Sequence, residues 1–251
     1  MTTPLRHAEH VMGTVFSFTV RDPGPGTAAA LRRAVERLHR IDRVFSTYRA
    51  DSDISRLGRG ELTLDRCDPE VAEVLERCRE TAAETDGWFS ERPGGELDPA
   101  LDPSGWVKGW AIEESSRILR AAGSAQHSVG GGGDVQTCGG PWRIGIAHPL
   151  RPGALIAIVA GHDLAVATSG TAERGPHILD PHTGRPATAL ASLTLIGHHL
   201  ARTDAWATAV FAMGPDRALR WAADRPEVEA LAVLPDGTTR HTAGLPRHLA
   251  G

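Results

Sequence analysis

Asp204 and Thr208 stand four residues apart in the stretch Arg202-Thr203-Asp204-Ala205-Trp206-Ala207-Thr208-Ala209-Val210-Phe211-Ala212-Met213-Gly214. The stretch is alanine-rich and closes on a glycine suited to a helix C-terminus, so it reads as a short buried helix opening at Thr203 or Asp204. Residues i and i+4 share one helix face, one turn apart. A carboxylate and a hydroxyl so placed aim hard oxygen ligands at a common point, the chemistry that magnesium prefers. The competing reading is local, with Asp204 capping the helix and Thr208 bonded back to a carbonyl.

Other residue types along the chain fit chemistry on an anionic, planar ligand. Lys108 falls in the first turn of a second helix, where its charge opposes the helix dipole; a neighbouring anion would account for it, and so would plain solvation. In the loop 177–186, His177 and Asp180 have the types of a general base and its orienter, although Asp-Pro and Thr-Gly also serve ordinary turns. Tyr48, the only tyrosine, lies in a polar passage over 45–58, and its ring can stack on a planar ligand. Trp88 and Phe89 precede a loop dense in proline and glycine and either wall a ligand or pack on the helix before them. Four glycines, Gly130 to Gly133, let backbone amides approach a phosphate, or make a flexible turn. They form no G-x-G-x-x-G, and their flanks do not read as one βαβ unit, which disfavours a Rossmann site.

These groups need elements to hold them. Residues 10–21 read as a strand ended by the turn Asp22-Pro23-Gly24-Pro25-Gly26, and 27–45 as a helix with Leu31, Ala34, Val35, Leu38, Ile41 and Phe45 on one face. Asp68-Pro69 opens a helix that carries Val71, Val74, Leu75, Cys78 and Ala82 to Asp86-Gly87. The segment from Leu101 turns into a helix reaching about Ala122, with Gly123 as its cap. Stretches 142–147, 154–160, 164–168 and 192–197 read as strands with short connections, which favours antiparallel pairing, and the polar stretch 168–171 reads as a loop. A helix over 215–224 and a hairpin at Pro235-Asp236-Gly237 complete the sheet.

The 251 residues, 41% hydrophobic, suffice for one large core or two modest ones. A net charge of −4 and a pI near 6.3 leave no basic footprint for nucleic acid or an anionic membrane. No apolar run spans a bilayer, and MTTPLRHAEHVMG lacks the layout of a signal peptide, so a soluble, cytoplasmic protein is expected. Cys67, Cys78 and Cys138 make no C-x-x-C pair and fit a reducing compartment.

Seven motifs in one order carry a resemblance to a known family: Met12-Gly13-Thr14, F-S-T-Y-R-A-D-S-D-I-S-R-L, D-P-S-G-W-V-K-G-W-A, the run from Gly130 to Asp134, T-S-G, H-I-L-D-P-H-T-G-R-P and D-A-W-A-T-A-V-F-A-M-G. Together they closely resemble the ApbE-type FAD:protein FMN transferases, once described as thiamine-biosynthesis lipoproteins. The resemblance implies a single α+β domain over 1–251, T-fold-related, with a mixed, largely antiparallel sheet, flanking helices and FAD in a groove between two lobes. It implies a magnesium-dependent enzyme that moves FMN from FAD to a Thr or Ser hydroxyl of an acceptor flavoprotein as a phosphoester and releases AMP. Asp204 and Thr208 match the side-chain magnesium ligands, with the Gly105 carbonyl as a third. Met12, Tyr48, Trp88, Phe89, Asp102 and Lys108 match positions that line FAD, Ile178 or Leu179 a backbone contact to the flavin, and His177 the histidine that activates the acceptor hydroxyl.

Two departures accompany the match. Ser90 stands where the family often has Asp, and the loop after it is rebuilt. MTTPLRHAEHVMG does not read as the signal peptide and lipid-anchored cysteine of many relatives, so their periplasmic setting is not expected to carry over. Two other functions use the same groove: a magnesium-dependent FAD pyrophosphatase with water as acceptor, and a flavin-binding protein without turnover. The Asp204–Thr208 pair argues against the last, since a pure binder needs no catalytic metal.

Overall fold

The computed structural model describes residues 3–92, 100–172 and 175–250; most of the rebuilt loop after Ser90 lies outside them. The chain opens with strands Leu5–Val11 (β1) and Thr14–Val20 (β2), joined in register as a hairpin. The single strand expected over 10–21 is thus broken at Met12-Gly13, whose φ values of 54° and 69° make a tight two-residue turn. Methionine is an unusual occupant of left-handed φ, so nothing in the sequence announced the turn.

Helix Thr27–Phe45 (α1) has the expected bounds, with Ala30, Ala34, Leu38, Ile41 and Phe45 buried at helical spacing. The polar passage after it holds a short helix, Asp53–Gly58 (α2), which the sequence did not reveal because its six residues carry little periodicity. It is capped by Ser52, which accepts from the Ser55 amide. Helix Pro69–Glu84 (α3) starts where the Asp68-Pro69 pair puts it, with Asp68 accepting from the Glu70 amide. Helix Ser104–Ala121 (α4) leads to strands His127–Gly131 (β3) and Asp134–Cys138 (β4). The four glycines are therefore neither wholly cradle nor wholly loop. Gly130 and Gly131 lie in β3, and Gly132-Gly133, at φ 56° and 88°, form its hairpin turn.

Strands Trp142–Ala147 (β5) and Leu155–Gly161 (β6) pair as a separate ribbon. Strand Ala165–Gly170 (β7) absorbs most of the stretch read as a loop over 168–171, because its pairing with Ser192–Gly197 (β10) continues to Gly170. Between them Leu179–Asp180 (β8) and Arg185–Pro186 (β9) form a miniature hairpin. Helices Leu200–Ala212 (α5) and Pro215–Ala223 (α6) precede Glu229–Val233 (β11) and Thr239–His241 (β12).

The main sheet runs β1-β2-β3-β4-β7-β10-β11-β12. Every pairing among its described residues is antiparallel, so the parallel component of a mixed sheet is not found there. Its central strands are covered on both faces, which the strand period makes visible. Ala165, Ala167, Leu193, Leu195, Ala230 and Ala232 belong to the core under the helices. The intervening Val166, Ile196 and Leu231 join Ile146 and Val159 of the ribbon and Leu245 in a second cluster. The three cysteines are buried and free.

His127 opens β3 fully buried, with Nε2 2.9 Å from Ser116 Oγ and Nδ1 3.0 Å from Ser124 Oγ. The Ser124 hydroxyl donates in turn to Asp22 at 3.0 Å. Burial, and after it the Arg120 charge, lower the His127 pKa from 6.5 to about 4. Because the folded value lies below the unfolded one, the contribution to stability is complete above pH 6.5 and is lost as pH falls toward 4. The expected loss across that window is about 3 kcal/mol. Denaturant unfolding at both ends of the window checks this; an equal loss in His127→Gln would assign the effect to other groups.

Candidate functional site

Several segments converge on a cleft of about 750 Å³: the C-terminal end of α1, residues 88–90, the N-terminal half of α4, α5 at Asp204 and Thr208, the hairpin turns at Met12 and Gly132, and the chain around β5, β7 and residues 177–181. Met12, Tyr48, Trp88, Phe89, Asp102, Gly105, Lys108, His177, Ile178, Asp204 and Thr208 all line it. Residues as far apart in sequence as Met12 and Thr208 thus meet around one space of the size ligand sites take.

The centre of the cleft is the crossing of α4 and α5. Gly105 and Gly109, one turn apart on α4, face Thr208 and Asp204, one turn apart on α5. A Cβ at Gly105 would stand 3.5 Å from Thr208 Oγ1, and one at Gly109 would stand 2.7 Å from Asp204 Cβ and 2.5 Å from the Leu200 carbonyl. The glycines set how closely the helices approach. Gly109→Ala would ordinarily gain about 1 kcal/mol of helix propensity. Here the overlap with a backbone carbonyl outweighs it, and a net loss of about 1–3 kcal/mol is expected, read as a lowered melting temperature. An unchanged or raised melting temperature would show that the crossing can relax.

Helix α5 begins at Leu200, about one turn before the expected start. Its first amides are capped by side chains from other elements: Leu200 N–H donates to Gln136 Oε1 and Ala201 N–H to Glu113 Oε2, each at 3.0 Å. Asp204 is therefore no cap. Thr203 lies inside the helix, its hydroxyl donating to the His199 carbonyl at 2.8 Å. The other local alternative is realised, since the Thr208 hydroxyl donates to the Asp204 carbonyl at 3.3 Å.

The Asp204 carboxylate, nearly buried, accepts from Gly109 N–H at 2.9 Å through Oδ2 and from Lys108 Nζ at 3.0 Å through Oδ1. In a regular α-helix the Gly109 N–H serves the Gly105 carbonyl. Asp204 takes a share of it, and that carbonyl keeps acceptor capacity for another partner. Lys108 is the fifth residue of α4, beyond the first turn, and its anions are carboxylates: it bonds Asp134 as well as Asp204. Asp134, which sequence reading met only as the end of a glycine run, is fully buried. Its other oxygen accepts from Thr168 N–H at 2.9 Å, just past the end of the short β4–β7 ladder. The carboxylate thus takes a ladder donor at the place where the two strands part.

The aromatic residues divide. Phe89 is buried beneath Gly105, and Trp88 meets the His182 ring edge-on at 4.5 Å between centroids. Tyr48 is 89% exposed, so its ring is free to take a planar partner. Met12 holds its left-handed turn at the rim, and Asp102 accepts from Ser104 N–H at 3.0 Å at the head of α4. The Ile178 carbonyl accepts from Ala187 N–H at 2.9 Å. Ser192 also lines the cleft, and its buried hydroxyl is the only buried side-chain polar atom without a hydrogen-bond partner among the described residues. A serine at a strand start gave no earlier sign of this.

His177 is exposed at the rim, with Nδ1 3.0 Å from the Gly175 carbonyl. A carbonyl only accepts, so Nδ1 carries the proton and Nε2 offers a lone pair. Asp180 is not its orienter. The Asp180 carboxylate accepts from His182 N–H at 2.9 Å and its carbonyl from Thr183 and Gly184, which closes the β8–β9 turn.

Asp204, Thr208 and the Gly105 carbonyl fit a hard divalent cation by donor chemistry: one carboxylate and neutral oxygens on facing helix turns. No three His, Cys, Asp or Glu side chains converge on a metal position among the described residues. An ion held here would complete its shell with water or ligand oxygens, as magnesium does.

The model of the ApbE family matches residues 12–92 and 96–232. The FAD:protein FMN transferase of Rhodobacter capsulatus is 32% identical over 150 residues, 55% of this chain and 29% of that protein, so the chain spans under a third of that relative's length. The enzyme of the same name from Vibrio cholerae is 26% identical over 270 residues, 83% of this chain and 81% of its own. Among solved structures, the ApbE protein of Thermotoga maritima superposes with a TM-score of 0.86 at 22% identity, over 99% of this chain and 100% of that one, a likeness of fold.

Proposed function

Because the chain belongs to the ApbE family, we propose that it is a magnesium-dependent FAD:protein FMN transferase, which attaches FMN from FAD to a Thr or Ser hydroxyl of an acceptor flavoprotein and releases AMP. The observation that carries the reading is the Asp204, Thr208 and Gly105 oxygen set beside the Lys108 ammonium, inside a cleft walled by an exposed tyrosine. A pyrophosphate and a flavin need such neighbours.

Asp204, Thr208 and the Gly105 carbonyl would hold the magnesium ion, which when bound supplies positive charge to the pyrophosphate oxygens. The chain's own groups do the rest. Lys108 has three N–H donors and spends two on carboxylates, which leaves one for a phosphate oxygen. The paired glycines at 132 and 133 bring the hairpin backbone to the cleft without Cβ atoms in the way. Tyr48 supplies a ring face for the isoalloxazine and Ser192 an unspent hydroxyl. His177 takes the acceptor's hydroxyl proton on Nε2 as the oxygen attacks phosphorus and the bond to AMP breaks. Its exposure suits this role, because the acceptor is a protein and must reach the base from outside.

Mass spectrometry of a co-expressed acceptor tests the reading. An adduct of FMN mass on a threonine or serine is expected. FMN and AMP in solution with no adduct would replace transfer with hydrolysis, and intact FAD after incubation with magnesium would leave a flavin binder.

A further inference from the structure

Two carboxylates share one ammonium at the α4–α5 crossing: Lys108 bonds Asp204 at 3.0 Å and also bonds Asp134, whose side chain has no solvent exposure. Each Asp204 oxygen accepts one of these donors, Oδ2 from Gly109 N–H and Oδ1 from Lys108, so a cation that binds the carboxylate meets the ammonium at Oδ1. The stem of Lys108 runs past the β3–β4 turn, where a Cβ on Gly132 would come within 3.4 Å of its Cδ. Asp134 also accepts from Thr168 N–H, which fixes the carboxylate on the sheet independently of the lysine.

We propose that Lys108 is an internal counter-ion which competes with the divalent metal for Asp204, and that Asp134 is the positioning residue that sets the competition by drawing the ammonium toward the sheet. The proposal rests on Asp204 being the metal ligand. In charge terms the cluster of two carboxylates and one ammonium is net −1. Without the Asp134 charge it becomes neutral, and the ammonium has Asp204 as its one remaining carboxylate, so a dication is disfavoured on both counts. Lys108 would then serve two states: it covers the Asp204 charge before the metal arrives, and stays beside the cleft, tethered to Asp134, once the metal has displaced it.

Asp134→Asn separates this from a merely structural role, since the amide oxygen still accepts from Thr168 N–H while the charge is gone. Binding of Mn²⁺ to the FAD-free protein, followed by electron paramagnetic resonance, is the readout. Asp134→Asn is expected to weaken Mn²⁺ binding by about tenfold, and the double variant Asp134→Asn/Lys108→Met to restore it to wild-type affinity or tighter. Asp134→Asn leaves Lys108 and Asp204 as a neutral pair, and in the double variant the nearly buried Asp204 carboxylate keeps the Gly109 N–H but loses its ammonium, so the melting temperature of each is measured on the preparation used for the titration. Unchanged affinity in Asp134→Asn, or a double variant as weak as the single, overturns the proposal. Asp204→Asn tells the two readings apart: wild-type Mn²⁺ affinity there would remove the metal assignment itself, whereas lost affinity there with no effect at 134 or 108 removes only the competition.

Discussion

Asp204→Ala is expected to lower turnover by about a thousandfold or more, which corresponds to about 4 kcal/mol of charge stabilisation at the transition state, while FAD affinity stays within a few fold. The reasoning is one of position. Asp204 is the only carboxylate of the proposed oxygen set, and it is held by Gly109 N–H and Lys108 at the floor of the cleft. The proposed flavin contacts, by contrast, lie on other elements, with Tyr48 beyond the end of α1 and Ile178 before β8. Removing the carboxylate takes one acceptor from the Gly109 amide and one from Lys108, so part of the loss comes from folding. Asp204→Asn keeps an acceptor for that amide and isolates the charge. Thr208→Ala should cost less than either, because a neutral hydroxyl gives a dication less than a carboxylate does and its present partner is only the Asp204 carbonyl. Turnover at saturating magnesium, with FAD affinity from fluorescence quenching on the same protein, is the measurement. Wild-type turnover in Asp204→Asn would refute the assignment.

His177→Asn should leave FAD and metal affinity intact and slow flavin transfer by about a hundredfold, the usual scale for losing a positioned base. The alternative is that the imidazole only holds the turn through the Gly175 carbonyl. The exposure of the ring weighs against that, since surface substitutions commonly change stability by no more than about 0.5 kcal/mol. Adduct formation and melting temperature on one preparation decide between the two. A lowered melting temperature with unchanged transfer per folded molecule would make His177 a turn residue and leave the acceptor hydroxyl to be activated by the cation.

The site was legible as a set of residues before it was legible as a place. Asp204 and Thr208 advertised themselves by helical spacing in an apolar stretch, and Tyr48, Trp88, Asp102, Lys108 and His177 by motif order; all line the cleft. What escaped notice was whatever works by contact between distant segments. Asp134 is one side chain after four glycines, and nothing in that run says that it meets a lysine 26 residues earlier and an amide 34 residues later. The Asp180 pairing to His177 failed for the same reason in reverse: residue type offered an orienter, and the turn claimed the carboxylate first.

By itself the sequence determined the elements whose signals are local. The α1 bounds follow from apolar residues recurring at helical spacing, the α3 start from Asp68 and Pro69, and the limits of β5 and β10 from short apolar runs between turn residues. Tertiary structure decided where signals are supplied from elsewhere. Helix α5 starts early because Gln136 and Glu113 cap it from β4 and α4, and strand pairing forces Met12 into a left-handed turn that its side chain does not favour. The distance between α4 and α5 was set by the missing Cβ atoms of Gly105 and Gly109, a property that has meaning only once the two helices cross. Local propensity can write elements, but the charge balance at Asp204 exists only after chain segments far apart in sequence have been packed together.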